Sequence, residues 1–141
     1  MIEYNCRLVD PETQAVWELL ETDLLDIFEA VGGGTLSDVD IRFAKGATCC
    51  LMLVSGGYPG AYEKGKPISI GDMPEDTFVY HSGTAFVKDE LVTAGGRVLG
   101  VTATGSTLKE AVSKASEAAK GIAFDGMAYR HDIGKQALEA K

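Results

Sequence analysis

The apolar run Cys49-Cys50-Leu51-Met52-Leu53-Val54 stops on Ser55-Gly56-Gly57, and that stop constrains everything near it. A short, continuous apolar run halted by glycines suits a buried strand better than a helix. The loop that follows carries Gly56, Gly57, Tyr58, Tyr62, Lys64 and Lys66 before Pro67. Glycines lack a Cβ, so their backbone can approach a ligand closely. The same wording also describes a plain glycine-rich turn with solvated lysines. Seventeen glycines in 141 residues imply many sharp turns, and hence substantial β structure.

From Val39 onward the apolar period is two. Strands are expected at Val39–Phe43, Thr48–Val54, Ile68–Ile70, Thr77–His81, Ala85–Val87, Glu90–Thr93 and Arg97–Ala103, with Gly46 and Gly95-Gly96 as turns. Short strands at this spacing predict an antiparallel sheet or partial barrel. One strong helix follows: Thr107-x-x-Glu110 is a capping box, and Leu108, Ala111, Val112, Ala115, Ala118, Ala119 and Ile122 form its apolar stripe. Gly121 is its stop. A last strand is expected near Ala123–Tyr129, and the tail beyond Lys135 is expected to fray.

The opening of the chain reads differently. Ile2 to Leu8 alternates, which sets Glu3, Asn5 and Arg7 on one face of an extended segment. A carboxylate, an amide oxygen and a guanidinium in a row suit a hard divalent cation and a phosphate. A solvent-facing polar row fits the same pattern. Asp10-Pro11-Glu12-Thr13 is a helix start, with Val16, Trp17, Leu19 and Leu20 as its apolar face. Thr22-Asp23 restarts a second helix carrying Leu24, Leu25, Ile27, Phe28 and Val31, which Gly32-Gly33-Gly34 ends.

A net charge of −8 speaks against general nucleic-acid binding, because phosphate attraction rewards the opposite sign. It leaves room for a local basic pocket. No run is long enough to cross a bilayer and no basic-then-apolar leader opens the chain, so neither membrane insertion nor export is expected. Cys6, Cys49 and Cys50 are odd in number and lack metal spacing, which points to buried thiols in a reducing compartment.

Taken together, Glu3-Tyr4-Asn5-Cys6-Arg7-Leu8-Val9-Asp10-Pro11-Glu12-Thr13-Gln14, Ser55-Gly56-Gly57-Tyr58-Pro59-Gly60, Lys64-Gly65, His81-Ser82-Gly83-Thr84, Gly95-Gly96-Arg97-Val98-Leu99-Gly100-Val101 and Gly126 to Gly134 resemble the C-terminal portion of the phosphoribosylamine–glycine ligase family. These ligases are ATP-grasp enzymes. The motifs run in the family's order over nearly the whole chain. Val9 stands where the family usually has Gly, and Ser82 where Ala is commoner.

The resemblance implies an α+β fold: the end of an ATP-grasp core over residues 1–36, a strand and two helices, then a β-rich C-terminal domain over 37–141. It implies a cytoplasmic step of purine synthesis joining glycine to 5-phosphoribosylamine with ATP as co-substrate, through glycyl phosphate. Glu3 and Asn5 would hold Mg2+ or Mn2+, and Arg7 would stabilise the transferring phosphoryl group. Lys64 and Arg97 are the expected anchors for the substrate phosphate, with Gly56, Gly57 and Tyr58 shaping the loop. His81 is equally a ligand or a satisfied sheet histidine. The family's enzymes are longer, so the chain is expected to be a C-terminal fragment, inactive alone and open to self-association. The lysines that hold the nucleotide have no substitute here, since no glycine-rich loop opens a helix. Two other readings stand beside this one: a non-catalytic binding or assembly domain of the same fold, and part of another ATP-grasp carboxylate–amine ligase, which the Ser55–Gly60 wording disfavours.

Overall fold

The structure is a computed structural model that describes residues 12–140. Glu3, Asn5, Arg7 and Asp10 lie outside the described residues. Helix α1 (Glu12–Trp17) is short, and Leu19 and Leu20 leave it in tight turns that donate to the carbonyls of Val16 and Trp17. Helix α2 (Leu24–Gly33) has the expected limits. The Asp23 carboxylate accepts from the Leu25 N–H at 2.8 Å, and Gly34 closes the helix at φ 70° with its N–H turned back to the last turn.

The strand expected at Val39–Phe43 does not form. Leu36–Asp38 makes a single 3-10 turn, and Phe43 alone joins a bridge, to Leu20. A side chain has displaced the ladder. Thr22 Oγ1 donates to the Asp40 carbonyl at 3.2 Å and accepts from the Arg42 N–H at 2.8 Å, and the Glu21 and Ala44 N–H groups donate to the Arg42 and Leu19 carbonyls, so this stretch bonds to residues 19–22 and not to the sheet.

The remaining elements are β1 (Ala47–Val54), β2 (Ser69–Ile70), β3 (Thr77–His81), β4 (Thr84–Val87), β5 (Glu90–Thr93), β6 (Arg97–Gly105), α3 (Leu108–Lys120), β7 (Ile122–Ala123) and α4 (Lys135–Glu139). The described strands form three antiparallel sheets, ordered β1-β6-β3, β2-β7 and β4-β5, and not one curved sheet. The chain is thus mixed α and β with antiparallel pairing.

Strand β6 is the middle of the main sheet. Cys49, Leu51 and Leu53 of β1 lie opposite Ala103, Val101 and Leu99, and directly opposed residues share a face. That face meets Ala111, Ala115, Ala118 and Ala119 of α3, all at most 1% exposed, in one core. Methyl side chains let the helix lie close on the sheet. Its start is a shifted capping box: Thr107 Oγ1 accepts from the Glu110 N–H, while the Glu110 carboxylate accepts from the N–H and hydroxyl of Ser106, one residue earlier than expected. On the opposite face, the Tyr80 hydroxyl donates to the Glu18 carboxylate, just beyond α1.

Three expectations near the C-terminus change. Ile122 is not on the α3 stripe; it follows Gly121 and pairs with Ile70 in β2. The strand expected over Ala123–Tyr129 breaks into β7 and one bridge, Ala128 to Val54, because Gly126 at φ 73° and a turn from the Met127 N–H to the Phe124 carbonyl intervene. Beyond Lys135 the chain forms α4 after Gly134 at φ 79°.

Replacing Ala115 by Leu should force the helix off the sheet and lower stability by about 1–3 kcal/mol, read from the urea midpoint at unchanged slope. The Cys49 thiol is pushed by burial, with Cys50 adding to it, from its ordinary 9.0 to about 11. Folded and unfolded chains both hold this proton below that interval, whereas within it only the folded chain does. Stability should therefore fall as pH rises across the interval, and Cys49→Ala should lessen the fall in urea titrations on either side of it.

Candidate functional site

The loop after β1 is held at its near end by the turn between β5 and β6 and at its far end by Thr93, the last residue of β5. At the near end, the buried Ser55 donates its N–H to the Gly96 carbonyl at 2.8 Å and its hydroxyl to the Gly95 carbonyl at 2.8 Å. At the far end, Gly65 N–H donates to the Thr93 carbonyl at 2.6 Å, Lys66 N–H to Thr93 Oγ1 at 3.1 Å, and Thr93 N–H to the Lys66 carbonyl at 2.9 Å. Arg97 begins β6 directly after that turn. Two segments about forty residues apart in sequence are therefore brought side by side.

The glycines serve this packing. A Cβ on Gly56 would stand 2.8 Å from the Gly126 carbonyl oxygen, and Gly57 sits at φ 94° with Ala61 against it. Gly56 and Gly57 thus meet the chain's own backbone. Gly96 seats an aromatic ring: a Cβ there would collide with Cδ2 and Cε2 of Tyr58. The Tyr58–Pro59 peptide is cis.

Tyr58 and Arg97 share a cavity of about 500 Å3. Met52, Val54, Tyr58, Pro59, Ala128, Tyr129 and Ile133 line it together with Arg97 and Arg130. Arg130 is gripped by Asp132, Nε to Oδ1 at 2.9 Å and Nη2 to Oδ2 at 2.7 Å. Those hydrogen bonds hold the Asp132 carboxyl below its ordinary value and raise Arg130 further. The Tyr129 ring rests against His131 at 4.5 Å between centroids. A largely apolar recess with a few charged groups is the usual form of a small-molecule site.

Lys64 lies apart from this cavity, exposed on the outer arm of the loop. The lysine that the fold fixes is Lys66, whose Nζ lies 2.7 Å from Glu63 and 3.1 Å from Asp125, and these partners raise its pKa. With Ser55, Gly56 and Gly126 these three line a separate recess of about 140 Å3. His81 accepts or donates at Nδ1 with Thr84 Oγ1 at 3.0 Å, at the β3–β4 turn. From the sequence alone, Tyr129 and Arg130 stand within the Gly126 to Gly134 motif with no role of their own. The available signal was the Arg-x-Asp spacing, which lets a carboxylate orient a guanidinium. Glu3, Asn5 and Arg7 lie outside the described residues. Among the described residues no group of three or more His, Cys, Asp or Glu could hold a metal ion.

This fold matches part of a known enzyme structure. The crystal structure of phosphoribosylamine–glycine ligase from Thermotoga maritima superposes with a TM-score of 0.74 at 36% identity, over 94% of this chain and 33% of that one. Residues 48–136 match the family described as phosphoribosylglycinamide synthetase, C domain, and the chain belongs to that family. Phosphoribosylamine–glycine ligase of Chlorobaculum tepidum is 46% identical over 98% of this chain and 33% of its own length. A bifunctional purine biosynthetic protein of Schizosaccharomyces pombe is 44% identical over 100% of this chain and 18% of its own. The chain thus spans a third or less of the length of these relatives.

Replacing Gly96 by Ala should turn the Tyr58 ring out of the cavity while the sheet persists. The near-ultraviolet circular dichroism and Tyr58 ring resonances should change, with far-ultraviolet signal retained.

Proposed function

We propose that this chain is the C-terminal part of a phosphoribosylamine–glycine ligase and completes that enzyme together with the polypeptide that precedes it in the relatives. The observation that carries this reading is the match to such ligases across nearly the whole chain, residues before the C domain included. Residues 1–36 would close the ATP-grasp core and 37–141 form the C-terminal domain. The start of the family match at residue 48 supports such a division.

In the reaction, a glycine carboxylate oxygen attacks the γ-phosphorus of ATP, giving glycyl phosphate and ADP. The amine of 5-phosphoribosylamine then attacks the acyl carbon; the amide bond forms, the acyl C–O bond breaks, and phosphate and a proton leave. Arg7 would offset charge on the phosphoryl group in transfer. Glu3 and Asn5, one carboxylate and one amide oxygen, have the hard donor character that Mg2+ or Mn2+ takes alongside phosphate ligands. When bound, the ion would neutralise phosphate charge. Tyr58 and Arg97 line the cavity proposed for phosphoribosylamine, Gly56 and Gly57 shape its loop, and Lys64 would reach substrate only from the loop's outer arm. A cytoplasmic setting suits this chemistry; among the described residues no helix is long and apolar enough to cross a membrane.

The polypeptide that precedes the matched part in the relatives would have a surface to meet. Leu25, Phe28 and Val31 of α2 are 62%, 55% and 58% exposed, and Val16, Trp17 and Phe43 add to the uncovered apolar area. Such a surface marks an interaction site. The second occupant open to it is another copy of this chain.

The chain alone should show no glycine- and phosphoribosylamine-dependent release of ADP. Mixed with the part of the Chlorobaculum tepidum ligase that it does not match, it should restore turnover, and Phe28→Glu should cut the restored rate at least tenfold. Turnover by the chain alone, or a soluble mixture that stays inactive, would overturn the reading.

A further inference from the structure

We infer that Tyr80 and Glu18 are positioning residues. Their hydrogen bond sets the segment that carries Arg7 against the cavity face, and so governs how well the acyl phosphate is coupled to the amine. The two reacting groups rest on the ligase reading; the contact and its place rest on the fold. Tyr80 projects from β3 on the face of the main sheet opposite α3, and its hydroxyl donates to the Glu18 carboxylate just beyond α1. Met52, Gly100 and Tyr80 stand opposite one another across β1, β6 and β3, and directly opposed residues share a face. Met52 is itself part of the cavity lining. A Cβ on Gly100 would lie 3.6 Å from Met52 Cε and 3.8 Å from Tyr80 Cβ, so both side chains flank the same glycine. The cavity and the Tyr80 contact therefore belong to one face of one sheet.

Helix α1 is six residues long and has no buried residue, so its own packing fixes it loosely. After it, Leu19 and Glu21 bond to Ala44 and Arg42, which lie outside the sheets. The Tyr80–Glu18 bond joins this run directly to the main sheet. Its acceptor is a carboxylate and both side chains are partly buried, which strengthens the bond. Arg7 stands five positions before Glu12, and five residues reach at most about 18 Å, so holding α1 also limits where that segment can lie.

One step depends on this placement above the others. In coupling, the amine attacks the acyl carbon, the amide forms and the acyl C–O bond breaks, releasing phosphate and a proton. Water attacking the same carbon gives glycine, phosphate and a proton, and the ATP is spent without product. Attack by the amine needs two separately held groups in line, and a misplacement of about 1 Å can cost roughly a hundredfold. Water needs no such alignment.

The test is the ratio of ADP released to glycinamide ribonucleotide formed when the 141-residue chain is mixed with the part of the Chlorobaculum tepidum ligase that it does not match. The unsubstituted chain should give a ratio near unity. Tyr80→Phe keeps the ring and removes the hydroxyl; it should at least double the ratio, the excess ADP still requiring glycine. Glu18→Gln keeps an accepting oxygen and should stay near unity, whereas Glu18→Leu should match Tyr80→Phe. The double variant, Tyr80→Phe with Glu18→Leu, should be no worse than either alone. Lys120→Met, at an exposed position of α3, should leave the ratio unchanged. Thermal melts show that each variant is folded, and a purely structural loss lowers both products together without moving the ratio. Restored turnover with an unmoved ratio in Tyr80→Phe, or additive losses in the double variant, would overturn the positioning role and leave the ligase reading standing. An inactive mixture of the unsubstituted parts would overturn both.

Discussion

Strand β6 is the constraint from which the rest of the molecule is built. It pairs with β1 on one edge and β3 on the other, carries α3 on one face, and is buried almost throughout its length. A strand in that position cannot shift by one residue without turning Leu99, Val101 and Ala103 away from the core. Its register is therefore set, and with it the placement of Arg97 at its first residue. The turn leading into it acquires the same rigidity, and that turn, with Thr93 at the end of β5, holds both ends of the loop bearing Tyr58.

Much of this was legible in the sequence, for identifiable reasons. The β1 run, the Asp23 and Thr107 caps and the Gly34 stop are local signals whose physics acts within a few residues, and the structure follows them. The failures involve partners distant in sequence. Val39, Ile41 and Phe43 have the alternation of a strand, but Thr22, some twenty residues earlier, occupies the backbone they would have offered. Ile122 has helical spacing from α3, yet Gly121 hands it to β2. Periodicity describes what a segment prefers; it does not name its neighbour.

The site divides along the same line. Tyr58 and Arg97 are candidates through the family resemblance alone, whereas their convergence on one cavity rests on the bonds from Ser55 to Gly95 and Gly96. Lys64 and Lys66 are alike in sequence, and only the carboxylates folded around Lys66 distinguish them. Arg130 belongs to the cavity because of the Ala128 bridge, an isolated pairing without strand character of its own. Glu3, Asn5 and Arg7 remain a reading of alternation and resemblance.

The alanine face of α3 has a thermodynamic side. Ala111, Ala115, Ala118 and Ala119 have no rotors to freeze, so docking the helix costs backbone order but almost no side-chain entropy. A sheet backed in this way has few internal degrees of freedom to exchange with a ligand. Occupancy of the cavity on its other face should then be felt as a change in the loops around it, with the backing layer serving as a fixed frame.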